Sequence, residues 1–342
     1  MRRAGRIALP LVGLAACLAG PPPAALAGGA LPAAGARGGG APDRRSPLED
    51  SVRAVLSRLP ARATLFAKHL PDGRTLAIGA DVPMNTASVI KIPVMVRAFR
   101  DAEAGRLDLD ARTTVRPEDL RRGTGLLQTF QPGLRPTWRD LVTQMIVTSD
   151  NTATDMVIRR VGLERVNALL DSLGYRETRL RGTIGEAFRA VWVLADSANR
   201  ALTDRQVYER GFPAESLLAG KMRAFVEDSS QWLGRTTARE MADLLERLQR
   251  GRLAGPASTE AMLGILRRQF YGSRLPRYLG GRAAVAHKTG DWPPFLADDV
   301  GILSYDGGPT VVAVFTNGNA GPYIDVERAI GRVAELLVDV WR

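Results

Sequence analysis

A chain of 342 residues can bury a large core, and 45% hydrophobic with 24% charged residues is an ordinary globular balance, neither collagen-like nor wholly disordered. One cysteine and two histidines exclude a disulfide framework and a zinc site built on several Cys or His ligands. The formal net charge of +11 invites nucleic acid, but the basic residues are scattered among acids and aromatics are only 6%, whereas a phosphate-binding surface needs basic clusters with aromatics between them. No nucleic-acid partner is expected.

Of the 47 basic residues only Lys68, Lys91, Lys221 and Lys288 are lysines. Where lysine survives in so arginine-rich a chain, the chemistry can require a titratable amine.

Arg2, Arg3 and Arg6 precede an apolar run from Ile7 to Ala19 that is too short to span a bilayer as a stable helix; this is the pattern of an export signal. Two processing sites compete. Ala25-Leu26-Ala27 is small-x-small and would make residues 1–27 the signal. Leu14-Ala15-Ala16-Cys17 resembles a bacterial lipobox and would leave a lipid anchor on Cys17. Either way an exported protein is expected, periplasmic or secreted, or a membrane-anchored lipoprotein. Residues 28–45 are Gly, Ala and Pro without periodicity and read as a flexible linker.

The globular part, 46–342, opens on a predicted capping box, with Ser46 as cap, Pro47 at the first helical position and Glu49 three residues after the cap. Val52, Val55, Leu56 and Leu59 then share one helical face. Ala63–Leu70 and Thr75–Ile78 flank Pro71-Asp72-Gly73 and read as a hairpin. A mostly helical stretch follows, about residues 93–280. It is marked by Leu141/Met145, by Val166/Leu169/Leu170/Leu173 and by Met241/Leu244/Leu245/Leu248, the last behind a second predicted box, Thr237 and Glu240. Strands return at Arg282–Thr289, Val300–Tyr305 and Thr310–Thr316, and Val326, Ile330, Val333, Leu337 and Val340 mark a final helix. The predicted fold is therefore α/β of the α+β kind: an antiparallel sheet flanked by N- and C-terminal helices, with an inserted all-helical subdomain.

Three short motifs carry chemistry. Ser88-Val89-Ile90-Lys91 opens an apolar helix, and residues i and i+3 share a helix face, so a lysine amine can reach the serine hydroxyl and take its proton. The helix N-terminus there suits a developing oxyanion. Ser149-Asp150-Asn151, between two helical patterns, is readable as a helix cap or as a second hydroxyl and a carboxamide facing a substrate. His287-Lys288-Thr289-Gly290 ends a strand, offering a cation, a hydroxyl and a glycine that permits close backbone approach.

In this order the three motifs resemble the S-x-x-K, S-D-N and K-T-G signature of the active-site serine β-lactamases and penicillin-binding proteins. The likeness to class A β-lactamases runs from about Ser46 to Arg342. Gly123-Thr124-Gly125-Leu126-Leu127-Gln128, Thr236-Thr237-Ala238-Arg239-Glu240-Met241-Ala242 and Asp299-Val300-Gly301-Ile302 look like further family segments. The resemblance implies a serine β-lactamase that opens the lactam ring in two steps and needs no cofactor or metal. Ser88 would be the nucleophile, Lys91 one candidate base, and Ser149 the donor to the departing nitrogen. Asn151 would orient the substrate amide, Lys288, Thr289 and Gly290 would form the carboxylate site, and the oxyanion would sit between the N–H groups of Ser88 and Asp291. The family default is a monomer. The alternatives are a D-Ala-D-Ala peptidase or other serine amidase or esterase, or a penicillin-binding module that does not hydrolyse.

Two departures stand out. The family's water-activating carboxylate is written Glu-x-x-Leu-Asn after an Arg-Leu segment. Aligned on Arg179-Leu180, that position falls on Ile184, while Glu186 comes two residues late and about fifty residues intervene before Thr236. Glu186 is the expected catalytic substitute, with Glu209, Glu215 and Glu227 of the insert 187–235 as further candidates, so Glu186→Gln is predicted to slow acyl release. The second departure is Asp291, where the family has a small residue; a carboxylate there either repels an anionic substrate or turns into solvent.

Overall fold

The computed structural model describes residues 46–218 and 220–342. The export signal, Cys17 and the 28–45 linker lie outside them. Among the described residues no helix is long and apolar enough to cross a membrane.

The elements, in chain order, are α1 (Pro47–Leu56), β1 (Arg62–His69), β2 (Thr75–Ile78), β3 (Met84–Asn85), α2 (Lys91–Glu103), α3 (Trp138–Val147), α4 (Asn151–Val161) and α5 (Leu163–Ser172). Then come β4 (Arg179–Leu180), α6 (Ile184–Ala195), α7 (Asp204–Arg210), α8 (Glu215–Leu218), α9 (Met222–Glu227), β5 (Gly234–Thr236), α10 (Ala238–Gln249) and α11 (Pro256–Arg267). The chain closes with β6 (Ala284–Trp292), β7 (Leu296–Tyr305), β8 (Gly308–Asn317) and α12 (Tyr323–Val340). Five strands pair antiparallel in the order β2-β1-β8-β7-β6, so the first hairpin meets the last strands through β1 and β8, Phe66 opposite Ala313.

Successive strand residues face opposite sides, and both sides of this sheet are covered. Val312 and Val314 of β8 join α1 and α12 in one core, while Val311, Ala313 and Phe315 join α2, α3, α4 and α10 in the other. That is why β8 is apolar without alternation. Val326, Ile330, Val333 and Leu337 of α12 are all fully buried, each contributing roughly 1.5–3 kcal/mol.

The helical stretch is not purely helical. β3, β5 and β4 form a second, three-stranded sheet, and Leu180 opposite Gly234 pins the two ends of the insert together. Its late helix α10 also returns to pack on the large sheet. β7 begins at Leu296, four residues before the predicted start. Asp298 and Asp299 look like turn residues, yet both are buried strand positions: Asp298 Oδ1 accepts the Thr316 N–H at 2.9 Å, and Asp299 accepts from His287 Nδ1 at 2.9 Å. The predicted boxes form by half. Ser46 and Thr237 cap α1 and α10, but the Glu49 carboxylate turns to Arg53, and that of Glu240 receives the N–H groups of Arg176, Glu177 and Thr178.

Candidate active site

Ser88 lies in a 3₁₀ turn, Ala87–Ile90, that leads into α2. The turn is held open at its start by Ala87, whose φ of 38° is rare for a residue with a side chain. It sits directly against β6 at Gly290, where an added Cβ would come within 2.6 Å of the Thr86 carbonyl oxygen. The glycine of the third motif is thus required by backbone contact with the nucleophile turn.

Lys91 is fully buried and directs its amine away from its own turn, toward the second motif. Nζ donates to the Ser149 carbonyl at 2.8 Å, to Ser149 Oγ at 3.1 Å and to Asn151 Oδ1 at 3.0 Å. Lys288, also fully buried, donates to the same Ser149 Oγ at 3.0 Å and to the Thr289 carbonyl at 2.7 Å. One hydroxyl therefore bridges two lysine amines from β6 and α2. Burial, and secondarily the charge of Lys288, pushes the Lys91 amine well below its ordinary 10.5. Burial likewise brings Lys288 down to about 7. A neutral amine beside a serine hydroxyl is a proton acceptor.

The pairing has a measurable thermodynamic signature. Above about 7 the folded protein holds Lys288 neutral, whereas the unfolded chain keeps it charged up to 10.5. Unfolding then takes up a proton, so this group makes stability rise with pH by up to about 1.4 kcal/mol per pH unit. Lys288→Met should remove that slope: denaturant titrations of both proteins at pH 7, 8 and 9 should show a wild-type minus variant difference that grows with pH. A constant difference would contradict the buried neutral amine.

Ser149-Asp150-Asn151 satisfies both of its readings, one residue at a time. Asp150 is the cap: Oδ1 accepts the Ala153 N–H at 2.8 Å and Oδ2 the Leu127 N–H at 2.7 Å. Burial raises its pKa. Ser149 stands in the left-handed region, φ 55°, which turns its side chain to the lysines. Asn151 opens α4, accepting from Lys91 and donating Nδ2 to the Arg122 carbonyl at 2.9 Å. The Gly123–Gln128 segment is clamped on this turn. Gly125, φ 106°, leaves no room for a Cβ above Asp150, and Thr124 Oγ1 donates to the Ser149 carbonyl at 2.7 Å. Thr124 was not singled out in the sequence; its link to residue 149 is purely tertiary.

Glu186 is elsewhere. It is exposed and completes the cap of α6, accepting the Thr183 N–H at 2.7 Å while its own N–H donates to Thr183 Oγ1 at 3.2 Å. The residue that faces the cavity from α6 is Ile184. Asp155 of α4 holds that helix start, its two oxygens accepting the N–H groups of Ile184 and Gly185 at 2.7 and 2.9 Å, with Arg121 at 2.6 Å as counter-ion. Of the other insert carboxylates, Glu209 pairs with Arg205 and Glu227 with Arg223, both exposed, and Glu215 borders the cavity from an exposed position. Glu186→Gln, which can still serve the cap, is now expected to leave acyl release unchanged; a slowed release in stopped-assay kinetics would restore the original expectation.

A cavity of about 890 Å³ opens in front of Ser88, Ser149, Asn151 and Asp291. Lys91, Lys288, Thr289 and Gly290 are buried and do not line it. The Thr289 hydroxyl has no hydrogen-bond partner. The insert supplies an apolar wall: Phe188, Phe212 and Phe225 gather about Trp292 at the end of β6, with ring centres 4.9–6.5 Å apart. Ala87, beside the nucleophile, packs into the same cluster. Asp291 does not turn to solvent. Its carboxylate is bound by Arg274 and by Tyr323 Oη at 2.6 Å. Burial opposes its charge, but Arg274 holds its pKa below the ordinary carboxylate value.

Comparison with known proteins agrees with this arrangement. Residues 47–341 match the β-lactamase enzyme family. A β-lactamase of Streptomyces fradiae is 30% identical over 162 residues, 45% of this chain and 52% of the relative, so the alignment spans about half of that protein. Among solved structures, the β-lactamase of Sphaerobacter thermophilus DSM 20745 is 28% identical with a TM-score of 0.68, covering 86% of this chain and 96% of that one. A mutant of PBP-A, solved as an acyl-enzyme complex with penicillin G, is 26% identical with a TM-score of 0.67 over 86% and 96%. With its mixed α/β fold and the match across nearly all of the described residues, the chain belongs to the β-lactamase enzyme family.

Proposed function

We propose that this β-lactamase-type serine hydrolase opens the β-lactam ring through an acyl-enzyme on Ser88, and that the acyl-enzyme is released slowly. The observation that carries the first half is the Ser149 hydroxyl held 3.1 and 3.0 Å from two buried amines. Ser88 Oγ bonds to the lactam carbonyl carbon as the C–N bond breaks. The serine proton passes to the neutral Lys91 amine, and Ser149 Oγ delivers a proton to the departing nitrogen. The oxyanion is assigned to the backbone N–H groups of Ser88 and Asp291, and Asn151 orients the substrate amide. Slow release is supported by Ile184, an apolar side chain where a water-activating carboxylate would stand, in a wall rich in aromatics. The PBP-A acyl-enzyme with penicillin G is a precedent for a trapped adduct in a similar protein. Export, with signal removal after residue 27 or lipid attachment at Cys17, belongs to the same proposal and suits a cell-wall or antibiotic substrate.

An intact-mass time course of the purified chain with benzylpenicillin tests both halves. A mass gain equal to the whole penicillin that persists for many minutes after free drug is removed is the expected result. No mass gain, or a gain that clears within seconds with product accumulating, contradicts acylation or slow release respectively.

A further inference from the structure

The positive charges that line the cavity among the described residues are already compensated. Arg274, 3% exposed, donates Nη2 to the Asp291 carboxylate and to Tyr323 Oη at 2.8 Å, and Nη1 to the carbonyls of Asp298 and Gly290 at 2.8 and 3.3 Å. Glu327 stands a further 3.5 Å away. Burial opposes its charge, yet the adjacent carboxylate holds its pKa above the ordinary arginine value. Arg223, the other lining guanidinium, is spent on the carbonyls of Gly318 and Asn319 and lies 3.7 Å from Glu227. Against these two guanidiniums the wall carries three carboxylates, Glu215, Asp291 and Glu327. Lys288, the cation that the family resemblance assigns to a substrate carboxylate, is buried behind the wall with its bonds on Ser149 and Thr289.

We propose that Asp291 occupies the anion position of this site in place of a substrate carboxylate, so that the preferred acyl donor is a neutral amide or ester with an apolar acyl group. The inference rests on the reading that Ser88 is the acyl acceptor. An anionic substrate has to displace Asp291 from a buried guanidinium or lie beside it as a like charge, and both are costly at low effective dielectric. A neutral one meets no such barrier, and the aromatic wall favours its apolar part by burial. The chemistry is the same for either leaving group: Ser88 Oγ–C forms, C–N or C–O breaks, and the serine proton ends on the leaving atom.

Benzylpenicillin and its methyl ester share ring and acyl side chain and differ by one charge. Acylation efficiencies of the two reagents are read by intact mass with wild type, Asp291→Asn and Asp291→Ala, each first checked by thermal melting. The ester is expected to acylate wild type on the order of tenfold more efficiently than the acid. Both variants should shrink that ratio toward one, chiefly by tighter binding of the acid with little change in its limiting rate. The proposal is overturned if wild type prefers the acid, or if the ratio stays put in folded variants that the ester still labels. If neither reagent labels Ser88 in wild type, the acylation reading itself fails and this inference falls with it.

Discussion

Alanine at Ser88 is expected to abolish acyl-enzyme formation completely: no mass gain with penicillin at any time or concentration that saturates wild type. The expectation is strong because no neighbouring hydroxyl can take over. Ser149 Oγ is bound by both amines and held in place by a left-handed backbone, which makes it a relay. Ser273 donates to Glu327 at 2.6 Å, and Thr289 Oγ1 is buried away from the cavity. Ser88 itself is half-buried and its hydroxyl makes no hydrogen bond among the described residues, so its removal should change stability by no more than about 0.5 kcal/mol. A folded Ser88→Ala protein that still gains the penicillin mass at the wild-type rate would place the nucleophile elsewhere.

The second large effect is a gain. Ile184→Glu should shorten the acyl-enzyme lifetime by about a hundredfold, the low end of what a positioned general base supplies, with acylation altered much less. Ile184 is 5% exposed, faces the cavity and is the first residue of α6, where a helix N-terminus favours a carboxylate. Asp155 beneath it is a like charge, but it is already neutralised by Arg121 and by two backbone N–H groups. Ile184→Gln, of the same size and without a base, is the control and should keep the long lifetime. Equal lifetimes in Ile184→Glu and Ile184→Gln, both folded, would mean that release is limited by water access or substrate geometry.

The catalytic triplets were legible because each is short and its chemistry is stated by residue type. Ser88 and Lys91, Ser149 and Asn151, and Lys288 and Thr289 needed no fold to be found. Their bonding was not legible. Lys91 was expected to serve the serine three residues before it, and instead places its hydrogen bonds on Ser149 and Asn151, far along the chain. Glu186 was misjudged although its signal was present, since Thr183 and Glu186 have the same cap-to-glutamate spacing as Ser46 and Glu49. Local capping competed with catalysis for one carboxylate and won, because the partner N–H groups are adjacent in the chain. Arg274 was invisible among so many arginines; only its burial against Asp291 and Tyr323 distinguishes it.

By itself, then, the sequence determined the elements and the reactive groups: helical and strand periodicity, caps, and hydroxyl and amine side chains at fixed short spacings. Tertiary structure alone decided which amine meets which hydroxyl, that the wall opposite Ser88 is isoleucine and aromatics, and that Asp291 closes on Arg274. The physical reason is that proton affinity and charge compensation depend on burial and on neighbours within a few ångströms. Here those neighbours come from β6, α2, α4, α6 and α12, elements that only the folded sheet and its insert bring together.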